Sequence, residues 1–350
     1  MPPFRINYPI SVAILYTGGD GGDMEDTLDW VEDMGRTLKD MGHVVRILEV
    51  TSRNWRKAVW VTGDVVFNLV EDKEYDLYMK VARRLEELGR SQVGIGSSGL
   101  RYVVKKSQMK RKMQRVGIPT PNFRIFNRRS DILRSKKIEF PMIVKPSGQH
   151  AGVGICQDSV VIDKQELADR VAYLFKKFPG EVIAEEYIEG REMHVTVMGN
   201  GRHLVALPVA EITFGGEFKD NWNVYTYDAK WGKTSWEYWG ARVVSPARID
   251  DALNNKLEKT AIRAFREMGC RDIARFDIRV DDRARVYIVD INMCPSLNAT
   301  DSEDATVRSA KALGWSYQEL IENVIAITYK RVYGMLPDRI RDRRLLLRAI

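Results

Sequence analysis

Apolar and polar residues alternate along residues 275–292 in a pattern that predicts a β-hairpin. Two strands are separated by the polar stretch 281–284, which predicts the turn. Successive side chains of a strand point to opposite faces, so we expect one apolar face. That face is made of Phe276, Ile278, Val280, Tyr287, Val289 and Ile291. The opposite face then carries Arg275, Asp277, Asp290 and Asn292.

A turn at 281–284 places Asp277 opposite Ile288 and Arg275 opposite Asp290. Carboxylate and amide oxygens suit Mg²⁺, which often binds one or two carboxylates together with substrate phosphates. A guanidinium suits a phosphate or a developing oxyanion. The spacing alone leaves a second interpretation open, a surface hairpin whose charges are solvated.

The N-terminal part alternates between apolar runs and helical patterns. Strands are predicted at 11–16, 44–50 and 65–70, and helices at 23–41 and 74–88. This alternation predicts a small parallel α/β domain. The glycine-rich loop 18–22 does not have the spacing of a dinucleotide-binding fingerprint.

The middle of the chain contains a candidate phosphate-binding loop. A helix at 105–116 ends in a Gly-Pro-rich break, and strands follow at 122–126, 141–145 and 181–186, with a helix at 163–177. The second of these strands ends in Lys145 and opens into the loop 147–154, which has three glycines. Glycines allow backbone N–H groups to approach phosphate oxygens, and lysine adds a point charge. A flexible surface loop is the alternative.

The C-terminal part begins with a predicted strand at 193–198. The Trp-rich segment 215–240 shows no clear periodicity, so it is either a lid over an active site or a stiff loop packed on its own aromatic rings. A helix at 250–268 precedes the hairpin. Another at 316–333 opens with Ser316 and Glu319, the spacing of a capping box.

Composition narrows the class of protein. The 350 residues are 44% hydrophobic and 29% charged, which is typical of a globular protein with a large core. The net charge is +7, of which the segment 331–350 supplies +4 with six Arg and two Asp, so the body is not predicted to bind nucleic acid. Neither a membrane span nor a secretion signal is predicted. The three cysteines have no CxxC pattern and fit a reducing cytoplasm.

Together these motifs resemble the ATP-grasp superfamily, and within it the D-alanine–D-alanine ligase-like carboxylate–amine ligases. The resemblance covers about residues 11–325. It implies an α/β ATP-grasp fold with an N-terminal parallel α/β domain. The implied domains are a Rossmann-like domain at 1–99, a central subdomain at 100–187, a C-terminal subdomain with the metal hairpin at 188–333, and a basic tail at 334–350.

The resemblance also implies roles for site residues. Asp277, Asp290 and Asn292 would hold Mg²⁺, and relatives commonly have Glu at the position of Asp290. Arg275 and Lys230 would be catalytic. The residues implied to bind ATP are Lys106, Lys145, Ser147, Gly152, Gly154, Glu192 and the adenine hinge Glu185, Glu186, Tyr187 and Ile188.

The part of the pattern that binds amino-acid substrates is altered. Asp23 or Glu25 replaces a Glu of the first loop, and Val70, Glu71 and Asp72 lie where relatives have a His. Ala151 replaces a Ser, and Trp231 replaces a Tyr, leaving only an N–H donor. Asp301 lies where relatives bind a carboxylate, and it would repel one. The candidate substrate residues are Asp23, Glu71, Trp231, Ser296 and Asp301, and Asp72 adds a further negative charge.

The resemblance implies an ATP-dependent ligase that forms an amide through an acyl phosphate, with ATP and Mg²⁺ as cofactors. We expect an amino acid or peptide other than the D-alanine pair as substrate, because the acidic residues favour an ammonium-bearing molecule. Two alternatives stay open, a diverged D-alanine–D-alanine ligase and an inactive ATP-binding regulatory protein. Small-molecule acids and amines are the expected partners, and relatives also suggest a homodimer. His150 is interpreted as a phosphate contact or an exposed loop residue, and His194 as a packing residue.

Overall fold

The computed structural model describes residues 9–18, 22–60, 63–72, 75–134, 139–301 and 303–334. The side chains of residues 22–24, 26, 133 and 134 lie outside that description. The basic tail predicted at 334–350 falls outside it from residue 335 onward. Within the described part, none of the helices has the length and apolar character needed to cross a membrane.

The N-terminal sheet is parallel, as predicted. Its strands are β1 (Ser11–Tyr16), β2 (Val44–Glu49) and β3 (Val65–Leu69), in the order β2-β1-β3. The helices of this part are α1 (Gly22–Asp40), α2 (Trp55–Trp60) and α3 (Asp76–Glu87). Strand β3 is buried along its whole length although it ends the strand order, because α3 packs against it and Val66 also pairs with Gln92.

Helices α4 (Ser97–Val103) and α5 (Lys106–Arg115) lead into a four-stranded antiparallel sheet. Its strands are β4 (Phe123–Phe126), β5 (Met142–Pro146), β6 (Val160–Val161) and β7 (Val182–Glu186), in the order β4-β7-β5-β6. Helix α6 (Asp131–Arg134) follows β4, and α7 (Lys164–Lys177) packs on the sheet. Asp163 caps α7 by accepting a hydrogen bond from the Glu166 N–H at 2.9 Å.

The third sheet carries the hairpin at one edge. Its strands are β8 (Arg191–Asn200), β9 (His203–Ala206), β10 (Ala210–Phe214), β11 (Ala241–Val244), β12 (Asp272–Val280) and β13 (Val286–Asn292). The main order is β11-β10-β8-β12-β13, and β9 pairs with β8. Between β10 and β11 lie the short helices α8 (Tyr227–Trp231) and α9 (Trp236–Gly240). The predicted Trp-rich segment is therefore partly helical.

Three helices complete the fold, namely α10 (Asp251–Met268), α11 (Ala305–Ala312) and α12 (Tyr317–Tyr333). The capping box predicted from Ser316 and Glu319 is present at the start of α12. One hydrophobic core joins the N-terminal sheet, α5 and the hairpin, and it includes Leu15, Met109, Phe265 and Phe276. This shared core fixes the hairpin relative to the elements on either side of it. The domain limits given above stay a prediction.

Candidate active site

The hairpin β12–β13 lies between two cavities, but its register differs from the predicted one. Asp277 pairs with Asp290, and Arg275 pairs with Asn292. The turn is one residue longer than predicted, and a bulge adds Val289 to the second strand. The two carboxylates therefore lie directly opposite each other, with Cβ atoms expected about 4.5–5.5 Å apart.

The bulge also corrects the predicted apolar face. Ile288 and Ile291 are buried with the core, whereas Val289 lines one of the two cavities and half-buried Tyr287 lies at the surface. A strand without a bulge would turn Ile288 and Ile291 to opposite faces. The prediction was thus wrong for Tyr287 and Val289.

Asp277 is held by two neighbours on the hairpin. The Arg275 Nε donates to Asp277 Oδ1 at 2.8 Å, and the Asn292 Nδ2 donates to Asp277 Oδ2 at 2.8 Å. Burial alone would raise the pKa of the Asp277 carboxyl, but Arg275 and His194 outweigh burial and lower it. Asp277 is therefore ionised at neutral pH.

Asp290 has its own cation. Its Oδ2 lies 3.3 Å from the Lys106 Nζ. Burial would raise the pKa of Asp290, but Lys106 and other neighbouring cations hold it far below its ordinary value. The hairpin thus presents two ionised carboxylates and an amide oxygen on one face.

This donor set fits a hard divalent cation. Within the described ranges, neither the hairpin nor any other region has three or more His, Cys, Asp or Glu side chains placed to hold a metal ion. A Mg²⁺ ion at the hairpin would therefore need Asn292 and oxygen atoms of a phosphate besides Asp277 and Asp290. That mixed set is the usual one for Mg²⁺ at nucleotide sites.

The cavity on one side of the hairpin has the character of a nucleotide site. It measures about 680 Å³ including its open mouth. Glu185 is 1% exposed at its base, where its carboxylate lies 2.8 Å from the Lys145 Nζ and 2.9 Å from the Lys110 Nζ. The predicted residues that line it are Lys106, Lys145, Glu185, Glu186, Tyr187, Ile188, Glu192, Lys230, Asp277 and Asp290.

Lys110 is a site residue that our sequence reasoning missed. Its Nζ also donates to Thr120 Oγ1 at 2.8 Å and to the Ile288 carbonyl at 3.1 Å. Burial lowers the pKa of Lys110 to about 8, while Glu185 opposes that shift. The signal was present, because Lys110 follows Lys106 by one helical turn and lies on the same face of α5.

Arg279 is a second residue that was missed. It is 5% exposed, and it donates to the Ile188 carbonyl at 3.0 Å and to Glu192 Oε2 at 3.2 Å. Its position two residues beyond Asp277 places it on the same face of β12. The hinge is thereby partly occupied, since the Tyr187 N–H donates to Pro141 as well. An adenine base would have to use the remaining backbone groups of this segment.

The Gly-rich loop 147–154 faces the cavities through fewer residues than predicted. Ser147 accepts a hydrogen bond from the Ser107 N–H at 3.1 Å and lines neither of the two cavities described here. Gly152 and Gly154 also lie outside both linings, and each has a positive φ, 83° and 79°. These two glycines shape the loop, and other residues of the loop line a cavity.

His150 is one of those residues. Its Nε2 is 2.8 Å from the Val104 carbonyl, and its ring centroid is 4.5 Å from that of Tyr75. Burial and then Lys106 lower the pKa of His150 to about 4. His150 is thus neutral and half-buried instead of exposed, and its contact with a phosphate stays a prediction.

The lid helix α8 closes on the Gly-rich loop. The Trp231 Nε1 donates to the Ala151 carbonyl at 2.9 Å. Trp231 and Ala151 both depart from the family pattern, and they are joined by a hydrogen bond from a side chain to a main-chain oxygen instead of one between two side chains. On the same helix, the Lys230 Nζ lies 5.0 Å from the centroid of the Tyr225 ring. Burial lowers the pKa of Lys230, and nearby Asp277 opposes this.

The second cavity lies across the hairpin and measures about 1380 Å³ including its mouth. Tyr225 and Lys230 line both cavities, so these two residues mark where the cavities meet. Arg275 and Asn292 face the second cavity. A phosphoryl group at the hairpin would therefore lie at the junction between a nucleotide and a second substrate.

Four of the five predicted substrate residues line this second cavity, namely Glu71, Trp231, Ser296 and Asp301. The side chain of Asp23 lies outside the described residues. Asp72 accepts hydrogen bonds from the Leu77 and Tyr78 N–H groups at 3.0 and 3.3 Å, which assigns it to the start of α3. Asp72 does not line this cavity, and its predicted role toward a substrate stays a prediction.

The carboxylates of the second cavity differ in their surroundings. Glu303 also lines it but is paired with Arg308 at 3.2 Å. Asp304 caps α11, and burial together with Asp301 raises its pKa to about 7. His194, interpreted from the sequence as packing, lines the same cavity, with its Nε2 3.6 Å from carboxylate oxygens of Glu192 and Asp277.

Comparison with known proteins identifies the family. Residues 112–326 match the family described as "D-ala D-ala ligase C-terminus". This match spans more than half of the chain, so the chain belongs to the D-Ala–D-Ala ligase family of ATP-dependent carboxylate–amine ligases. The predicted family, fold class and enzyme class are confirmed. ATP and Mg²⁺ are the cofactors of this family.

Three individual relatives share between 18% and 30% of their aligned residues with this chain. The "Uncharacterized protein y4sG" of Sinorhizobium fredii is 30% identical over 277 residues, covering 78% of this chain and 77% of that protein. A D-alanine–D-alanine ligase of Bordetella petrii is 27% identical over 92% of this chain and 93% of its own length. A Bacillus anthracis D-alanine–D-alanine ligase solved with ATP superposes with a TM-score of 0.72 at 18% identity, covering 93% of this chain and 99% of that structure.

Proposed function

We propose that this chain joins an amino acid or peptide other than the D-alanine pair to an amine, in a reaction that consumes ATP and passes through an acyl phosphate. The observation that carries the proposal is the position of the hairpin. Asp277 and Asp290 face the nucleotide cavity, and Arg275 and Asn292 face the second cavity. One strand pair thus borders both reactants of a phosphoryl transfer.

In the proposed reaction, a substrate carboxylate oxygen attacks the γ-phosphorus of ATP, and the bond to ADP breaks. The amine nitrogen then attacks the acyl carbon, phosphate leaves with its electron pair, and the amine loses a proton. Bound Mg²⁺ would neutralise phosphate charge at Asp277, Asp290 and Asn292.

The side chains of this protein supply positioning and charge. Lys106 and Lys145 would hold phosphates in the nucleotide cavity, and Lys230 would meet the transferred group at the junction. Arg275 is fixed by Asp277 and would stabilise the oxyanion that forms at the acyl carbon. The Trp231–Ala151 link would keep the Gly-rich loop closed, which excludes water that would hydrolyse the acyl phosphate.

The substrate cavity supports an amino acid or peptide other than the D-alanine pair. Glu71 and Asp301 line it in positions where the family pattern has a His and a carboxylate-binding group. An alanine carboxylate placed next to Asp301 would meet a negative charge instead of a donor. A diverged D-alanine–D-alanine ligase is the second candidate, which the family membership favours.

An inactive ATP-binding protein is less well supported. Lys106 and Lys145 are buried and paired with Asp290 and Glu185, and Lys230 is half-buried and feels the charge of Asp277. Taking charged side chains out of water costs free energy even when they are paired, and binding of a nucleotide phosphate would account for these lysines.

The test is ADP release from Mg²⁺-ATP with amino acids, D-alanine, dipeptides and small carboxylates, singly and in pairs. We expect release that needs one acid and one amine, and its loss in Asp290→Asn. Asp282→Asn, an exposed carboxylate at the turn of the same hairpin, is the matched control and should retain activity. Release that is strong with D-alanine alone would contradict the proposed substrate class, and release with no pair would contradict the ligase function.

A further inference from the structure

One end of the second cavity, bordered by the N-terminal sheet, combines a carboxylate with aromatic rings. Glu71 follows strand β3, and the rings of Trp30, Tyr75 and Tyr78 line the same cavity. We call these four residues the aromatic-acid end. It lies at the carboxyl edge of the parallel sheet, where ligands of open α/β sheets commonly bind.

The main chain of Glu71 is fixed. The Thr17 hydroxyl donates to the Glu71 carbonyl at 2.6 Å, and the Glu71 N–H donates to the same hydroxyl oxygen at 2.8 Å. This double contact ties the segment after β3 to the end of β1. The Glu71 side chain is thereby held beside the rings instead of ranging over the surface.

The rings are also held in place. Tyr75 has φ 58°, a left-handed conformation that is strained for a bulky residue and is often found at functional sites. Its ring packs edge-on against Tyr78 at 5.8 Å and against His150 at 4.5 Å. Asp72 fixes the start of α3, which carries Tyr78. The ring faces are therefore set before any ligand enters.

One polar atom at this end has no hydrogen-bond partner within the described residues. The Tyr78 hydroxyl is buried on a side chain that is 4% exposed, and it makes no hydrogen bond there. Buried polar groups are normally satisfied, so an unpartnered one beside a cavity points to a ligand, and the Tyr78 oxygen can accept a hydrogen bond from a cationic N–H group. Burial raises the pKa of the Tyr78 hydroxyl, and Cys294 and Glu71 raise it further.

The charge at this end favours a cation. Among the described residues that line the cavity, the Arg and Lys side chains are Arg275 and Lys230, and both belong to the hairpin and lid side. Arg275 is already paired with Asp277. A ligand carboxylate beside Glu71 would be repelled, whereas a cation would be attracted by the carboxylate and by the ring faces.

We propose that the aromatic-acid end binds the positively charged side chain of an amino-acid substrate, so that the ligase acts on a basic amino acid. The inference rests on the proposed ligase function and adds the class of side chain. Glu71 supplies the countercharge, and Trp30, Tyr75 and Tyr78 enclose the aliphatic stem and the cationic head.

The experiment compares lysine and arginine with norleucine, a neutral analogue of lysine, each as L and D forms. ADP release is measured with each as one member of an acid–amine pair, and binding is measured by calorimetry on the full-length protein. We expect kcat/KM or affinity for the cationic amino acid to exceed that for norleucine by tenfold or more. In Glu71→Gln this ratio should fall at least tenfold.

Glu87→Gln is the matched control, because Glu87 is an exposed carboxylate at the end of α3 that pairs with Arg84. It should keep the wild-type ratio. Tyr75→Leu removes a ring without changing charge and should lower the ratio, which keeps the inference testable if Glu71→Gln does not fold.

The two proposals fail differently. ADP release with neutral amino acids as effective as with lysine or arginine would overturn the cation inference and leave the ligase function standing. An unchanged ratio in Glu71→Gln would also overturn it. If no pair releases ADP, the ligase function fails, and calorimetry still decides the inference. Preferred binding of the cation supports it, and equal binding of lysine and norleucine overturns it.

Discussion

Replacing Lys110 with methionine tests whether the buried ion cluster under the nucleotide cavity holds the surrounding elements together. The Lys110 Nζ lies 2.9 Å from Glu185 Oε2, 2.8 Å from Thr120 Oγ1 and 3.1 Å from the Ile288 carbonyl. These contacts join α5 to β7 and to the hairpin. Methionine keeps most of the length of the side chain and removes all three contacts.

The expected loss follows from burial and from the partner that remains. Removing one member of a buried ion pair costs about 3–5 kcal/mol. Lys145 still lies 2.8 Å from Glu185, and the buried Lys110 ammonium is itself disfavoured, as its pKa of about 8 shows. Both effects reduce the loss, and we expect Lys110→Met to lower the free energy of unfolding by about 2–3 kcal/mol.

The same pKa gives a pH dependence. The pKa of Lys110 is lowered from 10.5 to about 8 in the folded protein. Between these values the unfolded chain binds more protons than the folded one, so the contribution of Lys110 to stability rises with pH in that window. Lys110→Met should not show this rise.

Urea unfolding followed by tryptophan fluorescence measures both effects. The control is Lys112→Met on the same helix, where the Lys112 Nζ donates to the Met268 carbonyl at 3.0 Å and the side chain is partly exposed. We expect that variant to lose about 1 kcal/mol or less. Equal losses in the two variants would refute the role given to Lys110.

Three further predictions concern other contacts. Trp231→Phe removes the N–H donor to the Gly-rich loop, a hydrogen bond worth about 0.5–1.5 kcal/mol. Its loss should raise ADP release that is uncoupled from amide formation by about two- to tenfold. Trp239→Phe, at an exposed tryptophan that donates to Lys233, should not raise it. Burial keeps His150 neutral by lowering its pKa to about 4, so the free energy of unfolding should fall as the pH drops from 6.5 to 4. A variant without this histidine should lose less stability over the same pH range. An identical fall in both proteins would contradict the assignment. Asp272→Ala removes two hydrogen bonds of 2.8 Å between the Arg331 guanidinium and the Asp272 carboxylate. It should lower the free energy of unfolding, measured by urea denaturation, by about 3–5 kcal/mol. A loss under about 1 kcal/mol would contradict this.

Long periodic segments allowed most of the fold to be predicted from the sequence. Helices α1, α7, α10 and α12 have a clear apolar face, and their ends lie within a few residues of the predicted limits. Short elements were missed, including β9, β10 and α11, because four to eight residues carry too little periodicity. These elements are stabilised by pairing with β8 or by packing, which only the folded chain defines.

The site residues that belong to a sequence motif could be predicted. The strand pairing and the contacts between distant segments could not be predicted as well. Asp277 and Asp290 were correctly placed on one face, but their pairing depends on the bulge at Val289, which no local pattern announced. Lys110 and Arg279 are buried charges whose partners come from distant segments. Sequence spacing indicated their faces, whereas their roles depend on tertiary contacts.

The most direct test of the account is the fate of a carboxylate oxygen. The acid substrate is labelled with ¹⁸O in its carboxylate, and the phosphate released with Mg²⁺-ATP and the amine is analysed by mass spectrometry. Attack on the γ-phosphorus followed by amide formation transfers one labelled oxygen, so the account predicts singly labelled phosphate in amounts equal to the amide formed. Unlabelled phosphate would show hydrolysis by water and would contradict a carboxylate–amine ligase that works through an acyl phosphate.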